Sequence, residues 1–140
     1  EEPRGVRVDF PESDLKILVV DDEPLLLTTI SRVLRSKGYE VETADDGINA
    51  VEKFSATPQR WDLIILDLSM PFLSGDLVLQ RILQLNREAK VLMSTGHRSD
   101  PRIQTCLSMG ALGIIEKPYS VDALAEELRR VFSPQHINRA

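Results

Sequence analysis

The chain is poor in the features that would mark a secreted, membrane-spanning or nucleic-acid-binding protein. Its single cysteine, Cys106, cannot form an internal disulfide. The longest unbroken apolar runs, Ile17 to Val20 and Leu63 to Leu66, fall far short of the roughly 20 residues needed to cross a bilayer. No run of lysine or arginine forms a basic stripe, and the formal net charge of −5 argues against direct contact with DNA or RNA. The acidic N-terminus lacks the basic-then-apolar layout of a signal peptide, so a cytoplasmic setting is the default expectation. There is no phosphate-binding glycine-rich loop, no internal repeat and no low-complexity stretch. The sequence begins Glu1-Glu2-Pro3 without an initiator methionine, which suggests a chain processed or cut from something longer. What remains is the composition of an ordinary globule: 140 residues, 42% apolar and 28% charged, enough Leu, Ile and Val for one core.

Hydrophobic patterning divides the chain into alternating strands and helices. Residues 1–14, with two prolines and several acids, read as a linker, although Val6, Val8 and Phe10 briefly alternate. Lys16 to Val20 is a continuous β-branched run, the pattern of a strand covered on both faces. Pro24 opens a helix with Leu26, Ile30, Val33 and Leu34 at helical spacing, and Gly38 stops it. Tyr39 to Thr43 alternates apolar with polar and therefore suits a sheet edge. Asp45 or Asp46 can cap a second helix with Ile48, Val51 and Phe54 inward. Leu63 to Leu66, ending in Asp67, is a central strand. A third helix from about Gly75 buries Val78, Ile82 and Leu85, and Val91 to Met93 is a further buried strand. Ser99 or Asp100 with Pro101 signals a fourth helix that carries Ile103 and Cys106 or Leu107. Leu112 to Ile115 is the last strand. Ser120 caps a final helix with a stripe of Leu124, Leu128 and Val131, and Glu126 is placed to pair with Arg130. The tail from 133 to 140 is read as frayed.

Five strands alternating with five helices predict a doubly wound α/β fold, in which ligands gather at the C-terminal ends of the strands. The residues following the apolar runs are Asp21 and Asp22, Asp67, Thr95 and Lys117. Neighbouring parallel strands lie about 4.8 Å apart, so these carboxylates should converge in one acidic pocket that needs a cation. An all-oxygen pocket without histidine or cysteine suits Mg²⁺ rather than zinc. Lys117 and the Thr95 hydroxyl are useful against the oxygens of a transferred phosphoryl group. With no loop to hold a nucleotide, the protein itself is the candidate acceptor, through a carboxylate that becomes an aspartyl phosphate.

These motifs, Ile-Leu-Val-Val-Asp21-Asp22-Glu, Leu66-Asp67-Leu-Ser-Met70-Pro71 with Gly75, Met-Ser-Thr95-Gly96 and Lys117-Pro118-Tyr119, closely resemble the receiver domain of two-component response regulators. The likeness runs over residues 15–132. It implies a flavodoxin-like five-stranded parallel sheet of order 2-1-3-4-5. By the same resemblance Asp67 is the phosphoacceptor, and Asp21, Asp22 and Asp67 hold Mg²⁺ with the Ser69 backbone carbonyl. Thr95 binds the phosphoryl group in the switched state, Lys117 pairs with it, and the donor is a histidine kinase or histidine phosphotransfer domain. The Ser-Thr-Gly-His and Lys-Pro-Tyr variants are most similar to receivers of hybrid histidine kinases, with a stand-alone regulator as the alternative. Ile114 stands where many receivers carry an aromatic ring, and Gly96 follows Thr95 where alanine is frequent. Other readings compete. A pseudo-receiver would keep the fold without the chemistry, but the five site residues are intact. A phosphatase of the haloacid dehalogenase type would want a second aspartate where Ser69 stands. Blander roles suffice elsewhere: Cys106, Met70 and Met93 in packing, Trp61 at the core edge, and His97 in a solvated loop.

Overall fold

The structure, a computed structural model, describes residues 9–11 and 14–133. The elements alternate without exception: β1 Lys16–Val20, α1 Pro24–Ser36, β2 Glu40–Ala44, α2 Gly47–Ala56, β3 Leu63–Asp67, α3 Gly75–Leu85, β4 Val91–Thr95, α4 Arg102–Met109, β5 Gly113–Glu116 and α5 Val121–Val131. All neighbouring strands pair in parallel, in the order β2-β1-β3-β4-β5. The expected flavodoxin-like sheet is thus observed, with the alternating β2 at one edge.

The continuous apolar runs follow from burial on both faces. Leu18, Val20, Ile64, Leu66, Val91 and Met93 face one layer, which includes Phe54, Val78, Leu79, Ile82 and Cys106 of α2, α3 and α4. Their neighbours Ile17, Val19, Leu63, Ile65 and Leu92 face the other, against Ile30 and Leu34 of α1 and Leu124, Leu128 and Val131 of α5. Each such side chain, fully buried, contributes roughly 1.5–3 kcal/mol. Trp61 is buried at the entrance to β3 with the Lys16 ammonium 4.9 Å above its ring. Met70, Met93 and Cys106 are core residues as expected, and burial pushes the Cys106 thiol up to about 11, away from nucleophilic chemistry.

Several local expectations shift. Ile48 is exposed, because Gly47, Ala50 and Phe54 form the inward stripe of α2. In α5, Arg130 pairs with Glu127 at 2.8 Å rather than with Glu126, and also donates to the Leu112 carbonyl. Leu85, at the end of α3, is only partly buried, while Leu79 and Ile82 are fully so. The last strand starts at Gly113, not Leu112. Asp46 caps α2 by accepting the Asn49 N–H at 2.7 Å, and Ser120 caps α5 through Ala123. The α4 boundary falls at Pro101, and Asp100 accepts the Arg102 N–H from one residue further upstream. Gly38 at φ +97° ends α1 in the left-handed region that a side chain would disfavour.

Part of the stretch read as a linker touches the domain. Phe10 is buried, packs edge-on against Tyr39 with ring centroids 6.2 Å apart, and lies under the Lys37 ammonium. The Tyr39 hydroxyl donates to the Pro11 carbonyl, and Arg129 donates to the Asp9 carbonyl. Residues 1–8, which include the Val6 and Val8 alternation, and the tail 134–140 lie outside the described residues.

Candidate functional site

The candidate site forms where β1 and β3, adjacent and in register from Ile17↔Leu63 to Val20↔Leu66, end together. The next residues in each strand direction, Asp21 and Asp67, are therefore neighbours. Both are buried, 4% and 2% exposed, whereas Asp22 faces solvent. Carboxylate oxygens of Asp21, Asp22 and Asp67 lie within 4.8 Å of one another. Lys117, delivered by the end of β5, places its ammonium 3.0 Å from Asp21 Oδ2 and 3.2 Å from Asp67 Oδ1. Its backbone N–H donates to the Thr95 carbonyl at 2.7 Å, and its peptide bond to Pro118 is cis.

The electrostatics follow from burial and crowding. Desolvation, with the like charge of Asp21 added, pushes the Asp67 carboxyl up to about 7 despite the opposing Lys117 ammonium. Burial lowers the Lys117 pKa, but its hydrogen bond to Asp21 and the charges of both aspartates outweigh this and leave it above its ordinary value. Tyr119 is also raised, by burial first and then by Asp21 and Asp67. Asp67 Oδ1 accepts from Lys117 and, at 3.4 Å, from the Ser69 N–H, whereas Asp67 Oδ2 is buried with no hydrogen-bond partner. A cluster of three carboxylates free of nitrogen and sulfur ligands, each with an oxygen within 4.8 Å of the others, fits a hard divalent cation.

The remaining expected residues surround this core differently. Ser69, Thr95, Asp22, Asp67 and Lys117 all line one cleft of about 610 Å³, with His97 exposed at its mouth. The Thr95 hydroxyl engages its own loop, accepting the His97 N–H at 3.1 Å and lying 3.2 Å from the His97 carbonyl. It is not bonded to Asp67. Below the cleft, α3 approaches the end of β3 so closely that a Cβ on Gly75 would sit 2.2 Å from the Asp67 carbonyl oxygen. Glycine is therefore required there. The approach is set by a tight turn at Phe72, φ +70°, closed by the Leu73 N–H on the Pro71 carbonyl and followed by the Gly75 N–H on the Leu68 carbonyl. Phe72 itself is 87% exposed.

Arg102 was not named from sequence, and Asp100 was read only as a helix start. Arg102 reaches from the start of α4 to the Ser69 hydroxyl, 2.9 Å away, and Asp100 grips the same guanidinium. No local pattern signals a contact between residues 33 positions apart.

A parallel 2-1-3-4-5 sheet with three carboxylates and a lysine at its C-terminal edge defines the class of CheY-like α/β domains. Residues 17–129 match the response regulator receiver domain, and the chain belongs to that family. It is 34% identical over 117 residues to the chemotaxis protein CheY of Treponema pallidum, covering 83% of this chain and 81% of that protein. It is 35% identical over 115 residues to the sensor histidine kinase RcsC of Salmonella typhi, covering 82% of this chain but only 12% of RcsC. Among solved structures, a chain of the CheX–CheY–BeF₃–Mg²⁺ complex from Borrelia burgdorferi superposes with a TM-score of 0.80 at 28% identity, covering 84% of this chain and 89% of that one. This is a receiver domain of two-component signalling. Among the described residues no helix is long and apolar enough to cross a membrane.

Proposed function

We propose that this receiver is a Mg²⁺-dependent phosphoacceptor switch in which Asp67 takes a phosphoryl group from a phosphohistidine on a histidine kinase or phosphotransfer domain. The observation that carries this reading is the state of the Asp67 carboxylate. One oxygen is held by Lys117 and the Ser69 N–H, while the other is buried and unpartnered. The free oxygen is the nucleophile: its lone pair forms the new O–P bond in line with the breaking P–N bond, whose electron pair returns to the imidazole nitrogen. Asp21, Asp22 and Asp67, with the Ser69 backbone carbonyl, would hold the ion. Mg²⁺, when bound, offsets the repulsion among the carboxylates and the charge on the phosphoryl oxygens. Lys117 neutralises the acyl phosphate from the opposite side, and Thr95 turns from His97 to the new oxygens, carrying the loop from Gly96 to Asp100 with it.

Mass spectrometry after treatment with acetyl phosphate and Mg²⁺ tests this directly. Addition of one phosphate to the wild type and none to Asp67→Asn is expected, and equal labelling of the variant overturns the assignment.

We infer further that the domain functions in the cytoplasm as the receiver of a hybrid histidine kinase. The Ser94-Thr95-Gly96-His97 and Lys117-Pro118-Tyr119 variants and the similarity to RcsC support this. The full open reading frame decides between it and a stand-alone regulator.

A further inference from the structure

The proposed chemistry leaves unused a cation at the mouth of the cleft. Arg102 is the first residue of α4, and its guanidinium is clamped by Asp100, with Nε 3.1 Å from Oδ1 and Nη2 2.7 Å from Oδ2. The same carboxylate also accepts the Arg102 backbone N–H at 2.9 Å. This grip holds the Asp100 carboxyl down at about 2, so the pair stays charged throughout the neutral range. Thus oriented, Nη2 crosses to the β3–α3 loop and donates to Ser69 Oγ at 2.9 Å. Ser69 is otherwise exposed, and its backbone N–H makes only a long contact, 3.4 Å, with Asp67 Oδ1. The side-chain bond to Arg102 therefore ties this turn to the α4 side of the cleft.

We propose that Arg102 is a positioning residue for the metal centre: held by Asp100, it fixes Ser69 through its hydroxyl and so presets the backbone turn that faces Asp67 and the ion. This rests on the reading of the site as a Mg²⁺-dependent phosphoacceptor. A guanidinium has the geometry for the task, since one edge can engage a carboxylate while a remaining N–H reaches a hydroxyl. Lysine, with one nitrogen, cannot preserve both contacts in the same orientation. The sign of the effect separates positioning from simple charge. A cation near a divalent ion repels it, so Arg102 acting only through space would weaken Mg²⁺ binding, and its removal would tighten it.

The test is a Mg²⁺ titration of the unphosphorylated protein, followed by amide shifts, on the wild type, Arg102→Ala, Arg102→Lys, Ser69→Ala and the double variant Arg102→Ala/Ser69→Ala. Loss of an outer contact to a metal site typically costs about tenfold or more in affinity. Arg102→Ala and Ser69→Ala are each expected to weaken Mg²⁺ binding by about tenfold, and the double variant to be no weaker than the weaker single variant. Arg102→Lys should remain weakened despite its charge. Phosphorylation by acetyl phosphate should slow at limiting Mg²⁺ and recover at saturating Mg²⁺. Unchanged or tighter Mg²⁺ binding in Arg102→Ala, multiplicative losses in the double variant, or full rescue by lysine would each overturn the proposal. If the wild type takes up no phosphate at all, the phosphoacceptor reading fails while the titration still reports on the link from Arg102 to Ser69.

Discussion

At the scale of single residues, burial and the like charge of Asp21 set the pH response of the Asp67 carboxyl. Asp67 has its pKa raised from 3.8 to about 7, so between these values the folded state binds the proton more tightly than the unfolded chain. Folding stability contributed by this group is therefore present below about pH 4 and is lost as pH rises toward 7. Asp67→Asn removes the ionisable group. In Mg²⁺-free buffer it is expected to be roughly 1–3 kcal/mol more stable than the wild type at pH 7.5, with the gain shrinking toward pH 4. Urea unfolding across that pH range measures it, and a gain independent of pH would contradict the electrostatic cause. Asp22 is exposed, so Asp22→Ala should leave the metal-free fold intact while weakening Mg²⁺ affinity and slowing phosphorylation. An unchanged Mg²⁺ titration would refute its role as a ligand.

At the scale of elements, close approaches and docked segments carry the largest penalties. Gly75→Ala would drive a methyl group into the Asp67 carbonyl and push α3 away from β3. A loss of about 3 kcal/mol or more is expected, since backbone cannot yield as a side chain can. Thermal unfolding reads it, and a cost below about 1 kcal/mol would mean that α3 moves freely. The short Asp9–Pro11 stretch lies outside the family match, yet it clasps the corner between α1 and β2 and the end of α5. Phe10→Ala should cost about 2 kcal/mol, below the range for a central phenylalanine because the site is at the rim. Mg²⁺ binding, at the opposite end of the strands, should not change. Ile114, half-buried against the core layer that includes Ile103 and Cys106 of α4, has no ring to swing between two surfaces and is branched at Cβ with a stiff χ1. A beryllofluoride mimic is accordingly expected to shift amides from Gly96 to Gly110 more than those of α5. Equal shifts in both would count against a signal carried by the α4 side.

At the scale of the whole molecule, relief of the acidic cluster couples binding to stability. Under the proposed reading Mg²⁺ would bind only the folded state, where three carboxylates converge, since the unfolded chain offers no such cluster. Saturation at one hundred times the dissociation constant would add about 2.7 kcal/mol by mass action. A rise in Tm with Mg²⁺ that disappears in the Asp22→Ala variant is the expected outcome. Ca²⁺ should substitute poorly at equal concentration, because the larger ion wants more oxygen ligands than this small cluster offers.

Much of this architecture was legible in the sequence because hydrophobic period and strand-end chemistry are local. Continuous apolar runs marked β1, β3 and β4 as doubly covered, alternation put β2 at an edge, and the residues after each run identified Asp21, Asp67, Thr95 and Lys117 as neighbours. The strand order itself came from resemblance, because periodicity says which strands are buried and not which lie side by side. Tertiary structure alone decided the finer points. Lys117 reaches both Asp21 and Asp67 because β5 ends across β4 from them. Thr95 turns toward His97 because the loop offers a nearer N–H, and Arg130 prefers Glu127 while also reaching Leu112. Arg102 meets Ser69, and Phe10 meets Tyr39, only after the layers have packed. Each of these depends on a side chain's direction across a gap in the folded chain, a quantity set by long-range packing that no local pattern of residues encodes.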